Sequence, residues 1–212
     1  MSRKDVEREA RRRFILGAAR RMFANKGVEE ASMDDIAAEA EYTRRTLYAY
    51  FRSRDEIYLS IFIEDMEARR QMQLDAVAKA GNGVEKIRAW GQMFYEYARH
   101  NPHAMRLQLF WDFRGIDESA VSPGIFSRFE EINHRLAEDL RDMFQQGAAD
   151  KSLRHDIDVD MCISQYLYTL RAVINRAVSP GYSFANFDAD SYVQHYLDLF
   201  CRAIRKPKGV TA

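Results

Sequence analysis

Cysteine is scarce in this chain: Cys162 and Cys201 are the only two in 212 residues, and each sits inside an apolar helical pattern. There is neither a disulfide framework nor a CxxC metal spacing, and a reducing compartment is the natural expectation. Turn-forming residues are equally thin, with 4 Pro and 10 Gly over the whole length. An all-β chain would need more turns, whereas long mixtures of Ala, Leu, Met, Glu and Arg are the usage of a helical protein. No apolar stretch approaches the roughly 18 residues needed to span a bilayer. The opening MSRKDVEREARRR alternates charge and lacks the apolar run of a signal peptide, so a cytoplasmic location with no membrane partner is expected.

Net charge is absent too, with 32 Lys+Arg against 32 Asp+Glu. The balance argues against a nucleic-acid partner only until it is divided along the chain. Residues 1–55 hold 13 basic and 10 acidic side chains, leaving 19 and 22 for residues 56–212, so +3 in front faces −3 behind. What the chain does have is 47% hydrophobic and 30% charged residues, enough for a real core in one or two domains and incompatible with a disordered or fibrous protein.

Periodicity then places the elements. Phe14, Ile15, Ala18, Ala19, Met22 and Phe23 recur at threes and fours up to the C-cap signal Lys26-Gly27, which marks a first helix. Ser32 with Asp35 caps a short second helix that turns Met33, Ile36, Ala37 and Ala40 inward. After a tight connection at Glu41 and Tyr42, Thr43 caps a third helix over Arg44 to Tyr50, anchored by Leu47 and Phe51, with Arg44, Arg45 and Tyr48 on its other face. Ser53 and Glu56 spell a capping box for a fourth helix through Ile57, Ile61, Phe62 and Met66, which Gly81 and Gly83 are expected to stop. Beyond it, Asn101-Pro102, Ser122-Pro123 and Asp158 read as starts and Gly115, Gly147 and Pro180-Gly181 as stops, giving about nine helices in all. The fold class is therefore all-α. No strand pattern or internal repeat competes.

Three short helices ending in a polar, basic third helix have the layout of a helix-turn-helix reader, in which one helix props while the next enters the major groove. An Arg can hold guanine O6 and N7 with two N–H groups, worth about 1–3 kcal/mol of discrimination. Two adjacent arginines point to a G-containing half-site. Phenolic hydroxyls and amides at a helix N-terminus donate to phosphates and fix register without reading sequence. The arm Arg11, Arg12 and Arg13, preceded by Arg3, Lys4 and Arg8, reads either as an extension that follows the backbone or enters a minor groove, or as a solvated helix face.

From residue 14 to 63 the chain resembles the TetR family of transcriptional regulators. The resemblance is carried by Phe23 to Gly27 (FANKG), Met33 to Ala37 (MDDIA), Thr46 to Phe51 (TLYAYF) and Ser53 to Glu56 (SRDE), in the family's order and spacing. It implies that residues 1–55 form a DNA-binding domain and residues 56–212 a helical ligand-binding and dimerisation domain, joined by the long fourth helix. It implies DNA contacts from Ser32, Thr43, Arg44, Arg45, Thr46, Tyr48, Tyr50 and Arg54, with Arg44, Arg45 and Thr46 at base edges and the tyrosines, Ser32 and Arg54 on phosphates. It further implies a homodimer through the last two long helices, placing two readers roughly 34–36 Å apart on a pseudo-palindromic double-stranded operator. Repression, relieved when an effector shifts the fourth helix, is the expected mode, with activation as the alternative. The chain departs from the family at Glu41, where a Gly is usual; if that position is left-handed, Glu costs roughly 1 kcal/mol. Tyr42 likewise replaces a smaller apolar residue.

Aromatics are dense in the body. An aromatic-lined cavity for a small hydrophobic or aromatic effector is expected from Trp90, Phe94, Tyr97, Met105, Leu109, Phe113, Phe129 and Leu170, with Asn133 and Tyr166 as its polar groups. Plain core is the competing reading of such spacing. Residues 159–178 and 189–205 carry more apolar positions than one side would bury, among them Ile163, Tyr166, Leu167, Leu170, Ile174, Tyr192, Tyr196, Leu199 and Phe200, which suggests a partner. Glu131 and His134 spell a single Glu-x-x-His, half of a di-iron site, and no second copy exists. With no GxSxG elbow, HExxH pair or Gly-rich phosphate loop, neither catalysis nor a metal or other cofactor is expected. A helical ligand carrier without DNA binding is the remaining alternative.

Overall fold

Helices account for nearly all regular structure in the described residues, 2–179 and 188–207, of the computed structural model; the side chains of Phe113 and Arg114 lie outside that description. The order is α1 (Arg3–Lys26), α2 (Met33–Glu39), α3 (Arg44–Tyr48), α4 (Arg54–Val77), α5 (Gly83–His100), α6 (Pro102–Arg114), a 3-10 turn Glu118–Ala120, α7 (Pro123–Ala149), α8 (Val159–Val178) and α9 (Ala189–Ile204). The all-α class and the nine helices expected from periodicity are those of the described residues, whose β feature is an isolated bridge between Leu153 and Arg205.

Local signals explain most boundaries. Pro102 and Pro123 occupy first helical positions, where a missing N–H costs nothing. Asp158 accepts from the Met161 amide at 3.0 Å to open α8, and Gly115 takes φ 66° immediately after α6. α1 begins eleven residues before its apolar period, because Ser2 and Asp5 form a reciprocal capping box (3.2 and 2.8 Å) and the charged first turns are strong helix formers. The arginine arm is thus helix. α3 ends at Tyr48, two residues short of the expected Tyr50.

Two glycine expectations fail for one reason. α4 ends at Val77, Asn82 caps α5 by accepting from the Glu85 amide at 3.1 Å, and Gly83 opens that helix instead of stopping the one before it. Gly147 lies inside α7, which continues to Ala149. The two glycines face each other: a Cβ on Gly83 would fall on the Gly147 backbone and 2.8 Å from the Met143 carbonyl oxygen. They serve a close helix approach, not helix termination. The stop expected at Pro180-Gly181 lies outside the described residues.

Packing divides the chain into two units, Met1–Met66 with His103–Ile132, and Glu67–Pro102 with Asn133–Ala212. These packing units break inside α4 and again inside α7. In the first unit, Ile15, Leu16, Ile36, Leu47, Phe51, Ile57 and Ile61 form the core. Arg20 fastens α1 to α4 through Asp65 (2.6 Å) and Glu64 (2.9 Å), and Arg12 reaches Ser60 at 2.9 Å while its guanidinium lies 5.0 Å from the Phe51 ring centre. The segment from α6 to the start of α7 belongs to this unit through specific bonds. Ser53 donates to Ala120 O (2.7 Å), Tyr58 donates to Leu107 O (2.8 Å), and the buried Glu56 carboxylate accepts from the Ser122 amide (2.8 Å). The capping box expected from Ser53 and Glu56 is therefore half present: the Glu56 amide donates to Ser53 Oγ (3.0 Å), but the carboxylate serves a distant backbone.

In the second unit Trp90, Phe94, Tyr166, Leu170, Ile174, Val193 and Leu197 interlock from α5, α8 and α9. A two-pronged pair joins Arg70 to Asp139 (2.6 and 2.8 Å).

Candidate nucleic-acid interface

Residues 32–51 form a compact two-helix wedge. The Ser32 hydroxyl accepts from the Asp35 amide (3.1 Å) and the Asp35 carboxylate accepts from the Ser32 amide (2.9 Å), the reciprocal cap the sequence spells. Lys26 at 2.6 Å and the Ser32 bonds hold the Asp35 carboxyl well below the usual carboxylate range. α2 ends in a Schellman turn: Glu41 N–H donates to Ala38 O (3.1 Å) and Tyr42 N–H to Ala37 O (2.9 Å). Glu41 takes φ 54°, so the position is left-handed with no glycine there to ease it. Tyr42 meets Phe14 edge-on at 6.0 Å, which ties the turn to α1 and accounts for the larger side chain. Thr43 then caps α3, accepting from the Thr46 amide at 3.1 Å.

α3 buries Leu47 and presents Arg44, Arg45 and Tyr48 to solvent, while Tyr50 and Thr46 are half-buried. The Arg44 guanidinium donates to Asp34 (3.0 Å) and to the Tyr48 hydroxyl (3.4 Å); Tyr48 and Asp34 together raise its pKa. The Arg11 guanidinium lies beside the Tyr50 phenol, which raises the arginine pKa. Ser32 and Thr43 are exposed but already engaged as caps. Arg54 is half-buried, bonded to Glu29 O at 2.9 Å and to Asp55 at 3.2 Å, so it ties the loop before α2 to the head of α4. The edge bearing Arg44, Arg45 and Tyr48 is thus open, while Arg54 carries a structural duty that residue type alone did not announce.

The body residues expected around an effector are shared between the two units. Met105, Leu109 and Phe129 belong to the first unit; Trp90, Phe94, Tyr97, Asn133, Tyr166 and Leu170 belong to the second; the Phe113 side chain lies outside the described residues. In the first unit Phe129 packs on Trp111 (4.2 Å) and Phe62 (6.0 Å). In the second, Trp90 packs on Tyr166 (6.0 Å) and Phe94 (6.4 Å). The two polar groups require correction. Tyr166 is fully buried and donates to Ile87 O (2.8 Å), and burial pushes its phenol well above the ordinary range. Asn133 is exposed, because it follows the buried Ile132 and α7 turns it about 100° away from the Phe129–Ile132–Leu136 stripe. Neither aims an unengaged polar group at a ligand. A surface cleft of about 430 Å³ lined by Asn82, Lys151, Arg205 and Lys206, among others, contains none of the expected effector residues.

Sequence reasoning missed buried Gln73, whose amide donates to Trp90 O (3.0 Å), and buried Arg69, whose guanidinium lies 3.9 Å from the Phe94 ring centre. Polar residues on a long charged helix look solvated until packing is known. Ile163, Tyr166, Leu170 and Ile174, read as surplus apolar face, are buried within the chain; the exposed apolar side chains of α8 and α9 are Met161, Tyr168 and Leu199. His134 pairs with Glu138 (3.2 Å), and among the described residues no group of three or more His, Cys, Asp or Glu could hold a metal ion. No described helix is long and apolar enough to cross a membrane.

Comparison with known proteins falls on the same wedge. The family model described as bacterial regulatory proteins, tetR family, matches residues 15–61. The HTH-type transcriptional repressor KstR2 of Mycolicibacterium smegmatis is 26% identical over 206 residues, covering 94% of this chain and 93% of that protein. The HTH-type transcriptional regulator SrpR of Pseudomonas putida is 25% identical over 169 residues, 78% of this chain and 75% of that one. The solved structure of the ketosteroid transcriptional regulator KstR2 of Mycobacterium tuberculosis covers 93% of this chain and 96% of its own at a TM-score of 0.66 and 23% identity, a likeness of fold. The capped two-helix wedge with its open arginine edge thus lies within the residues that the tetR family model matches, in an all-α chain similar over most of its length to HTH-type transcriptional regulators.

Proposed function

We propose that the protein is a homodimeric repressor working in the cytoplasm. In this reading residues 1–55 of each copy read one half of a pseudo-palindromic operator, and residues 56–212 hold a small hydrophobic or aromatic effector and pair through α8 and α9. The observation that carries it is the open edge of α3, where Arg44 and Arg45 stand exposed beside Tyr48 on a wedge fixed by caps at both helices. Arg44 and Thr46 face bases, with Arg45 beside them on the same open edge; Tyr48 and Tyr50 meet phosphates; Ser32, Thr43 and Arg54 flank them. Repression is supported by the likeness to KstR2, a repressor. Pairing is supported by exposed Met161, Tyr168 and Leu199 on the last two helices. An apolar effector is supported by the density of aromatic side chains in the body, among them Trp90, Phe94 and Tyr97. The chain acts by binding and not by catalysis. An effector that prefers one position of α4 moves the reader at its head and lowers operator affinity by differential binding.

Selecting bound fragments from random duplex DNA tests this directly. The expected result is an inverted-repeat motif bound by two copies, with log affinity falling linearly as log salt rises. A direct-repeat motif, or a single half-site bound by one copy, removes the two-fold arrangement.

A further inference from the structure

Arg44 and Arg45 are neighbours in sequence, yet the structure holds them differently. Arg44 is held by two side chains: Nη1 donates to Asp34 Oδ2 at 3.0 Å, Nη2 lies 3.4 Å from the Tyr48 hydroxyl, and its guanidinium stands 5.6 Å from the same Tyr48 ring centre. Arg45, exposed beside it, has no ion pair or hydrogen bond among the described residues. We infer that Asp34 is a positioning residue for base reading: it orients the Arg44 fork toward the groove floor, so Arg44 selects one base pair in each half-site while Arg45 clamps phosphate. This rests on the operator-binding reading above.

The chemistry supports the division. A guanidinium carries five N–H donors in a fixed fork. With one taken by Asp34 and one turned to Tyr48, an N–H remains on each terminal nitrogen besides Nε–H, enough for the two-pronged contact to guanine O6 and N7. Holding that fork before DNA arrives removes part of the side-chain freedom that binding would otherwise have to freeze. Asp34 suits the first turn of α2 in the free protein, but against DNA an exposed carboxylate on the reading edge repels phosphates. Nor does α2 require it as a cap, because Asp35 already closes the capping box and pairs with Lys26. An acid that lowers affinity for every duplex is explained if it sharpens the choice among them.

The test uses the full-length protein and its variants D34A, R44A, R45A and D34A/R44A, first selected against random duplexes, then titrated with the wild-type site and each single-base change at fixed salt. R44A is expected to flatten the preference at one position per half-site. D34A flattens the same position by about two- to fivefold, the reach of an exposed ion pair, while random-sequence DNA binds as well or better. In the R44A background D34A changes no preference, a coupling that general loss of stability would not produce. R45A weakens all duplexes alike and lowers the salt slope by about one. The inference is overturned if D34A leaves the preference intact, if its effect persists without Arg44, or if R45A is the variant that flattens it. Wild-type protein selecting no motif overturns the regulator reading itself; a wild-type motif unchanged in D34A removes only the positioning role.

Discussion

Replacing Glu41 with glycine should stabilise the protein without altering what it reads. Glu41 holds φ 54° at the turn between α2 and α3, and a left-handed L-residue costs about 1–2 kcal/mol. Glycine removes that strain but gives back about 0.5–1 kcal/mol through the extra freedom of its unfolded chain. The exposed Glu41 carboxylate makes no ion pair or side-chain hydrogen bond among the described residues, so no contact is lost, and the two turn bonds at 3.1 and 2.9 Å are backbone bonds that glycine keeps. The net gain is about 0.5–1 kcal/mol, a rise of roughly 1–4 °C in Tm for a chain of this length. Glu41→Val should move Tm the other way, since a β-branched residue tolerates positive φ worst. Circular dichroism melts of the three proteins read the order, and titration of a selected duplex should show wild-type and E41G affinities within about twofold, because the turn keeps its shape. A melting point for E41G below the wild type, or E41V above it, would refute the left-handed assignment and with it the wedge geometry.

Two further outcomes follow from close contacts. Gly83→Ala forces a methyl into the Gly147 backbone and should lower unfolding stability in urea by about 1–3 kcal/mol, whereas Gly124→Ala, with nothing within 4 Å, should stay within about 0.5 kcal/mol of wild type. Equal midpoints for the pair would mean that α5 and α7 do not approach as described. Glu56→Ala leaves the Ser122 amide without its acceptor and should cost about 1–3 kcal/mol with faster hydrogen exchange at residues 118–124, while Glu56→Gln keeps an acceptor oxygen and most of the stability. Indistinguishable Ala and Gln variants would remove the brace.

The two-helix wedge of residues 32–51 was legible because its determinants are local. Ser32 with Asp35, Thr43 before Arg44, and Leu47 with Phe51 specify caps and buried anchors within a few residues of each other, and the structure keeps them all. The body was less legible because its side chains are defined by partners far along the chain. The same 3.6-residue period that identifies α7 as a helix cannot say that Asn133 faces out, nor can an aromatic at Tyr166 declare that its hydroxyl caps a carbonyl of α5.

Helix count, class and most boundaries were determined by the sequence itself, since caps, first-turn prolines and apolar spacing act over one or two turns, where chain connectivity already holds the groups together. Tertiary structure decided the rest. It alone turned the Glu56 carboxylate from its own helix cap to the Ser122 amide, set Gly83 against Gly147, engaged Arg54 with a loop carbonyl, and divided the packing within α4 and α7. These choices depend on which distant backbone comes within hydrogen-bond or van der Waals reach. That is a property of the packed core, and no window along the chain contains it.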